Sequence, residues 1–141
     1  MRVEHIGDAT LYLGDCLESL KTMPDKSIQM CVTSPPYYGL RDYGVDEQIG
    51  LEKTPDEYIA RLVEVFHEVK RVLKDDGTLW VNMGDSYAGS GKGQTKNGAN
   101  DRKVNKTKGM KLNIQKPSEI GLKPKDLIGI PWMLAFALRS D

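Results

Sequence analysis

A predicted strand, a long helix and a second strand constrain the fold of this chain more than any other feature of its sequence. The helix covers residues 55–74, where apolar residues recur at steps of three and four, and Thr54 and Glu57 form a capping box at its start. Apolar runs at 28–33 and 78–83 flank it and are typical of strands. Because two strands joined through a helix pair in parallel, this order predicts an α/β protein.

Shorter elements lie on either side of this unit. Residues 3–6 and 10–13 predict two short strands, followed by a short helix. Gly77 is expected to end the long helix in the left-handed conformation that helix C-termini favour. An apolar stretch at 124–139 predicts a last helix, which Pro131 should kink or split.

Length and charge indicate one domain with a basic insert. The 141 residues suit a single domain, and their 20 basic and 20 acidic side chains cancel. The cancellation is uneven, since residues 1–87 carry 9 basic and 16 acidic groups, whereas residues 88–116 carry 8 basic groups and only Asp101. The second segment also lacks apolar periodicity, which predicts a basic flexible loop inserted in the domain.

Several sequence features indicate the cellular compartment and argue against a secreted or membrane-spanning protein. The N-terminus is charged and lacks an apolar segment, so no secretory signal is expected, and no apolar run approaches the ~20 residues of a membrane-spanning helix. Cys16 and Cys31 lie in apolar surroundings, are expected to be buried thiols, and have no metal-ligand cluster around them. These features predict a cytoplasmic protein without membrane contact or bound metal.

The Ser-Pro-Pro-Tyr motif, Ser34 to Tyr37, directly follows the first predicted strand of the helical unit. Its two prolines fix two φ angles and remove two N–H donors, so a rigid loop presents a hydroxyl, backbone carbonyls and an aromatic ring. The Ser34 hydroxyl and the Pro35 carbonyl can accept the two hydrogens of an NH₂ group on a flat molecule, while Tyr37 stacks on its face. The alternative interpretation is a rigid turn or a proline-rich ligand for another domain.

With its surroundings, this motif resembles that of the amino-group DNA methyltransferases, whose signature is Asp/Asn/Ser-Pro-Pro-Tyr/Phe after a strand. The stretches at 11–16, 38–44 and 72–80 are also similar to members of this family. The resemblance covers most of the chain outside the basic loop. It implies that residues 1–141 form a partial methyltransferase catalytic domain of Rossmann-like fold, with mostly parallel strands flanked by helices.

The resemblance implies transfer of a methyl group from S-adenosylmethionine to the exocyclic amine of a DNA base, as in restriction–modification systems. The catalytic residues would be Ser34, Pro35, Pro36 and Tyr37, with Tyr37 stacking on a base flipped out of the duplex. Serine at the first motif position favours N(4) of cytosine as the target, and N(6) of adenine is the alternative.

If DNA is the partner, the basic side chains of the loop have a second possible role. They are either solvated or bind DNA phosphates, which would position DNA without reading its sequence. The residues concerned are Lys92, Lys96, Arg102, Lys103, Lys106, Lys108 and Lys111.

Asp15, at the end of the second predicted strand, is the one cofactor-binding residue that the resemblance identifies. It would contact the adenine of S-adenosylmethionine. The alternative role of Asp15 is to cap the short helix that follows it.

One part of the family pattern is missing. Family members with this motif order carry a Phe-x-Gly-x-Gly cofactor motif near the C-terminus, and no such motif follows Tyr37 here. The strands that carry this motif and a ribose-binding acid would separate the strand ending at Asp15 from the strand ending at Ser34. The resemblance therefore predicts a poorly covered sheet, exposed edges and half a cofactor pocket, to be completed by a C-terminal half or a second chain.

Three hypotheses remain open from the sequence. The chain is an amino-methyltransferase region that is inactive alone, a non-catalytic remnant that binds DNA or a partner, or an unrelated nucleotide-binding α/β domain. The third would use the glycine- and lysine-containing stretch at 89–93, although Ser86 and Gly93 depart from the spacing of a phosphate-binding loop.

Overall fold

A computed structural model of the protein describes residues 1–89 and 117–141. The strands and helices follow the predicted order of an α/β protein. The strands are β1 (Arg2–Ile6), β2 (Ala9–Leu13), β3 (Ile28–Thr33) and β4 (Leu73–Val81), and the helices are α1 (Cys16–Lys21), α2 (Pro55–Val72) and α3 (Ile130–Ser140), with a 3₁₀ helix at Pro117–Ile120.

The four described strands form two separate pairs. β1 and β2 are antiparallel, with Arg2 opposite Leu13, whereas β3 and β4 are parallel. The expectation of mostly parallel strands is therefore wrong for the first pair. The physical reason is the short turn at Gly7, whose positive φ reverses the chain at once and leaves no room for a crossover.

Among residues 1–89 and 117–141, the elements that cover the parallel pair lie on one of its faces. Cys31 and Val81 pack toward the core, where α2 and α3 lie. On the opposite face Met30, Val32 and Trp80 are 56%, 69% and 61% exposed, and Val32 is paired with Trp80. The expectation of a poorly covered sheet is thus confirmed within the described residues.

Helix α2 has the predicted start but ends earlier than predicted. The Thr54 hydroxyl accepts from the Glu57 N–H, and the Glu57 carboxylate accepts from the Thr54 N–H, so the capping box is confirmed. The helix ends at Val72 because Leu73 is extended and pairs with Ile28 of β3. Sheet pairing at this point takes priority over helix propensity.

Gly77 therefore has a different role from the predicted helix cap. It lies within β4 and does not adopt a left-handed conformation. A Cβ at this position would lie 2.9 Å from the Lys74 carbonyl oxygen and 3.2 Å from that of Gln29. Glycine is needed here because two backbones approach closely, where the register of β3 and β4 is irregular.

The last helix begins at Ile130, later than predicted, so Pro131 lies in its first turn and does not kink it. Gly129 is the N-cap and has no side chain to cap the helix. Asp85 replaces it, since its carboxylate accepts from the N–H groups of Gly129 and Ile130, each at 3.0 Å. Residues 124–129 form a turn and a bridge instead of helix, with Lys125 in the left-handed region.

Removing this remote cap should destabilise the fold. We expect Asp85→Ala to lower the free energy of unfolding by about 1–2 kcal/mol, because the N–H groups at the start of α3 lose their acceptor. Asp85→Asn keeps an oxygen acceptor and should lose less than half of that. Urea unfolding followed by circular dichroism measures both, and equal losses for the two variants would contradict a capping role.

The core joins α2 to α3 and to the loop after β3. Its buried residues on α2 lie at helical spacing, and Ile130 and Leu134 of α3 pack against them. The expectation that both cysteines are buried is wrong for Cys16, which is exposed because it begins α1 at the surface, while Cys31 is half-buried. None of the described helices has the length and apolar character needed to cross a membrane.

Candidate functional site

The Ser-Pro-Pro-Tyr motif begins where the parallel pair ends. The Asn82 N–H donates to the Thr33 carbonyl at 2.8 Å and so continues the pairing of β3 with β4 up to the motif. Ser34 is exposed, and Pro35, Pro36 and Tyr37 are half-buried. The chain is therefore anchored to the sheet at Thr33, directly before the motif, and the first residue of the motif is open to solvent.

The hydrogen bonds of the motif divide it into a free part and a bound part. The Pro36 carbonyl accepts from the Tyr58 hydroxyl at 2.7 Å, and the Tyr37 carbonyl accepts from the Leu40 N–H at 3.3 Å. The Ser34 hydroxyl and the Pro35 carbonyl, by contrast, have no hydrogen-bond partner within the described residues. Both acceptors that the sequence assigns to an NH₂ group are thus among those of the motif without a hydrogen-bond partner in the described part of the chain.

Two glycines allow the backbone to lie against Tyr37. A Cβ on Gly84, just after β4, would lie 3.1 Å from the Tyr37 ring. A Cβ on Gly50, which has a φ of +103°, would lie 3.0 Å from the Tyr37 carbonyl oxygen. Gly50 also accepts a hydrogen bond from the Gly39 N–H at 2.7 Å, which closes the loop after the motif. Side chains at these positions would displace Tyr37.

Two buried tyrosines, Tyr38 and Tyr58, pack together beside the motif. The rings of Tyr38 and Tyr58 are 5.4 Å apart, and the Tyr38 hydroxyl donates to the Lys53 carbonyl at 3.2 Å. Burial raises the pKa of Tyr38 to about 12 and raises the pKa of Tyr58 as well. Both hydroxyls are therefore protonated donors at neutral pH.

Sequence reasoning missed the part that Tyr58 plays. A signal was present, because Tyr58 lies four residues before Leu62 and continues the apolar face of α2 toward its start. A tyrosine that is fully buried needs a partner for its hydroxyl. The identity of that partner, Pro36, was not accessible from the sequence.

Asp15 lies just after the other strand pair. It follows β2, is exposed, and accepts from the Glu18 N–H at 2.9 Å as the N-cap of α1. The structure thus assigns Asp15 the capping role that the sequence left as an alternative. Since β2 and β3 belong to separate sheets, Asp15 and Ser34 are not joined through a common sheet in the described part of the chain.

The remaining predicted site residues lie beyond what the structure describes. Lys92, Lys96, Arg102, Lys103, Lys106, Lys108 and Lys111 all fall outside the described residues. The start of the predicted loop is described and is ordered, since Ala88 is buried and exchanges backbone hydrogen bonds with Lys125 and Asp126. Over residues 1–89 and 117–141, no group of three or more His, Cys, Asp or Glu side chains could hold a metal ion.

The known proteins that this sequence resembles are type II methyltransferases. The sequence is 54% identical to the type II methyltransferase M.Cfr9I of Citrobacter freundii over 96% of this chain and 43% of the relative. It is 53% identical to M.XycI of Xanthomonas campestris pv. cyanopsidis over 94% of this chain and 42% of the relative, and 47% identical to M.SmaI of Serratia marcescens over 93% and 43%. The chain thus spans under half the length of these curated relatives.

A family profile also matches the region of the chain that contains the motif. No solved structure matches this chain. The profile of the N6/N4 DNA methylases matches residues 28–129, which include the Ser-Pro-Pro-Tyr motif, β3, α2 and β4. The hypothesis of an unrelated nucleotide-binding domain is therefore wrong. From the start of β3 to the residue before α3, the chain matches the N6/N4 DNA methylases, and it belongs to this family of DNA methylases that act on exocyclic amino groups.

Proposed function

We propose that this chain is the base-binding part of a DNA methyltransferase that modifies an exocyclic amine, N(4) of cytosine in preference to N(6) of adenine. The observation that carries the proposal is the division of the motif into free and bound acceptors. The Ser34 hydroxyl and the Pro35 carbonyl are available, whereas the Pro36 and Tyr37 carbonyls are already hydrogen-bonded. The serine in the motif supports cytosine as the target.

These two acceptors suit the chemistry of a poor nucleophile. The lone pair of an exocyclic amine is delocalised into the base. When Ser34 and Pro35 accept its two hydrogens, the nitrogen shifts toward sp³ geometry and its lone pair becomes available for attack. When bound, S-adenosylmethionine would supply its sulfonium methyl to this nitrogen and leave as the neutral thioether, and the nitrogen would lose one of its two hydrogens as a proton to water. Tyr37 would stack on the flipped base and hold it in line.

Members of this family use S-adenosylmethionine, which supplies the methyl group as a sulfonium. Asp15 is the residue of this chain that we propose to contact its adenine. The fit is partial, because one Asp15 oxygen already accepts from the Glu18 N–H. The other oxygen can accept from an amine, since the side chain is exposed. No glycine-rich Phe-x-Gly-x-Gly motif follows in the sequence.

We further propose that a second part, on the same polypeptide or on another chain, completes the cofactor pocket. The support comes from the share of the relatives that is covered, about 43% for M.Cfr9I. Exposed Met30, Val32 and Trp80 also leave one face of the parallel pair uncovered within the described residues. The 141-residue chain alone is expected to transfer little or no methyl group.

The proposed reaction is tested by nucleoside mass spectrometry. Duplex DNA is incubated with methyl-labelled S-adenosylmethionine and the longest natural protein that contains this chain, or with the chain alone. We expect N(4)-methylcytosine from the longer protein and none from the chain alone. N(6)-methyladenine would overturn the choice of target, and an unmodified digest together with tight DNA binding would favour a non-catalytic remnant.

The basic segment 88–116 is proposed to bind DNA phosphates. Replacing Lys103, Lys106 and Lys108 together by Ala should weaken DNA binding about equally for all sequences. The slope of log K against log salt should become less negative by about 3, because each phosphate contact releases about one counterion. An unchanged slope in fluorescence anisotropy titrations would show that these cations are only solvated.

A further inference from the structure

Two hydroxyl groups outside the Ser-Pro-Pro-Tyr motif bind backbone carbonyls on either side of Tyr37. Tyr58, on α2, donates to the Pro36 carbonyl at 2.7 Å, and Ser86, after β4, donates to the Tyr38 carbonyl at 2.9 Å. We propose that Tyr58 and Ser86 are positioning residues that fix the backbone of the motif in its base-binding conformation. This inference rests on the proposed function and adds two residues to it.

Some rotational freedom remains in the backbone of the motif. The two prolines fix their own φ angles, and Pro36 also restricts the ψ angle of Pro35, but the ψ angle of Pro36 can still rotate. The Pro36 carbonyl direction reports its ψ angle, and that angle decides where Tyr37 points. The Tyr58 hydroxyl holds this carbonyl from a side chain that is 0% exposed and therefore cannot move freely.

Each proposed base-binding group lies between two anchored carbonyls. Pro35 lies between Thr33, whose carbonyl accepts from the Asn82 N–H, and Pro36, whose carbonyl accepts from Tyr58. Tyr37 in turn lies between the carbonyls held by Tyr58 and by Ser86. One anchor comes from α2 and the other two, Asn82 and Ser86, come from the segment after β4, so distant parts of the chain fix one short loop. The Pro35 carbonyl itself accepts no hydrogen bond from any described residue.

The second anchor belongs to a segment with two further contacts. Gly84 lies against the Tyr37 ring, and Asp85 binds the first N–H groups of α3. Ser86 follows directly and reaches the Tyr38 carbonyl. Because Asp85 ties this segment to α3, Ser86 donates from a fixed position and not from a free loop.

The test compares two tyrosines that differ in their acceptors. Tyr58→Phe removes the hydroxyl on the motif, and Tyr38→Phe removes an equally buried hydroxyl that donates to Lys53 outside it. In the longest natural protein that contains this chain, we expect Tyr58→Phe to lower the single-turnover rate of methyl transfer by about tenfold. The Kd values for S-adenosylmethionine and DNA should stay within about twofold, and Tyr38→Phe should change the rate by less than about twofold.

A second measurement does not depend on activity. Hydrogen exchange of the amides of residues 37–40 should become faster in Tyr58→Phe and in Ser86→Ala. Tyr38→Phe and Ser27→Ala are the controls, since Ser27 donates to the Pro24 carbonyl before the start of β3, whereas the motif follows the end of β3. If the unsubstituted protein methylates no DNA, the proposed function fails while this exchange experiment still decides the positioning role. Equal exchange and equal rates for the Tyr58 and Tyr38 variants would overturn the inference.

Discussion

Ser34→Ala should lower the single-turnover rate of methyl transfer by about 10²–10³ in the longest natural protein that contains this chain. The Ser34 hydroxyl is the side-chain acceptor of the motif, and Pro35 contributes only its backbone carbonyl. With one amine hydrogen left without a fixed acceptor, the nitrogen keeps its delocalised lone pair and attacks more slowly. The rate is measured with enzyme in excess over labelled duplex DNA.

The stability of the protein should not change with this substitution. Ser34 is exposed, and its hydroxyl has no hydrogen-bond partner in the described part of the chain, so its loss should alter the free energy of unfolding by less than about 0.5 kcal/mol. Ser34→Asn is the matched control, because asparagine keeps an acceptor oxygen and should retain more activity than alanine. A Ser34→Ala protein with full activity would contradict the proposed role of this hydroxyl.

The parts of the site that were predictable from the sequence depend on residues that are close together in the sequence. The capping box of α2 joins Thr54 to Glu57, and proline geometry determines the rigidity of the motif, so both are readable locally. The position of the motif after a strand was predictable in the same way, because apolar runs and prolines mark strand ends. The role of the Ser34 hydroxyl and the Pro35 carbonyl as acceptors stays a prediction, and neither group has a hydrogen-bond partner within the described residues.

The supporting contacts were not predictable because they join residues far apart in sequence. Tyr58 is 22 residues from Pro36, Ser86 is 48 from Tyr38, and Asp85 is 45 from Ile130. No periodicity specifies which carbonyl a buried hydroxyl will meet. The early end of α2 at Val72 has the same cause, since the pairing of Leu73 with Ile28 depends on a strand far earlier in the chain.

Leu62→Ala should lower the free energy of unfolding by about 2–5 kcal/mol, which is a large share of the 5–15 kcal/mol typical of a small domain. Leu62 is 1% exposed and lies in the core where α2 meets α3. The described core is small and open on one sheet face, so few neighbours can move to fill the cavity. Urea unfolding measures the loss, and Lys70→Ala, at an exposed position of the same helix, should change stability by less than about 0.5 kcal/mol.

This substitution also separates folding from positioning. Leu62 does not contact the motif through any described hydrogen bond, whereas Tyr58, one turn earlier on α2, does. Leu62→Ala should therefore reduce the folded fraction and leave the rate per folded molecule unchanged when the protein is assayed well below its unfolding temperature. Tyr58→Phe should do the reverse, because it keeps the ring in the core and loses only the hydroxyl. If fully folded Leu62→Ala protein lost as much methyl-transfer rate as Tyr58→Phe protein, then the packing of α2, and not the Tyr58 hydroxyl, would hold the motif in place.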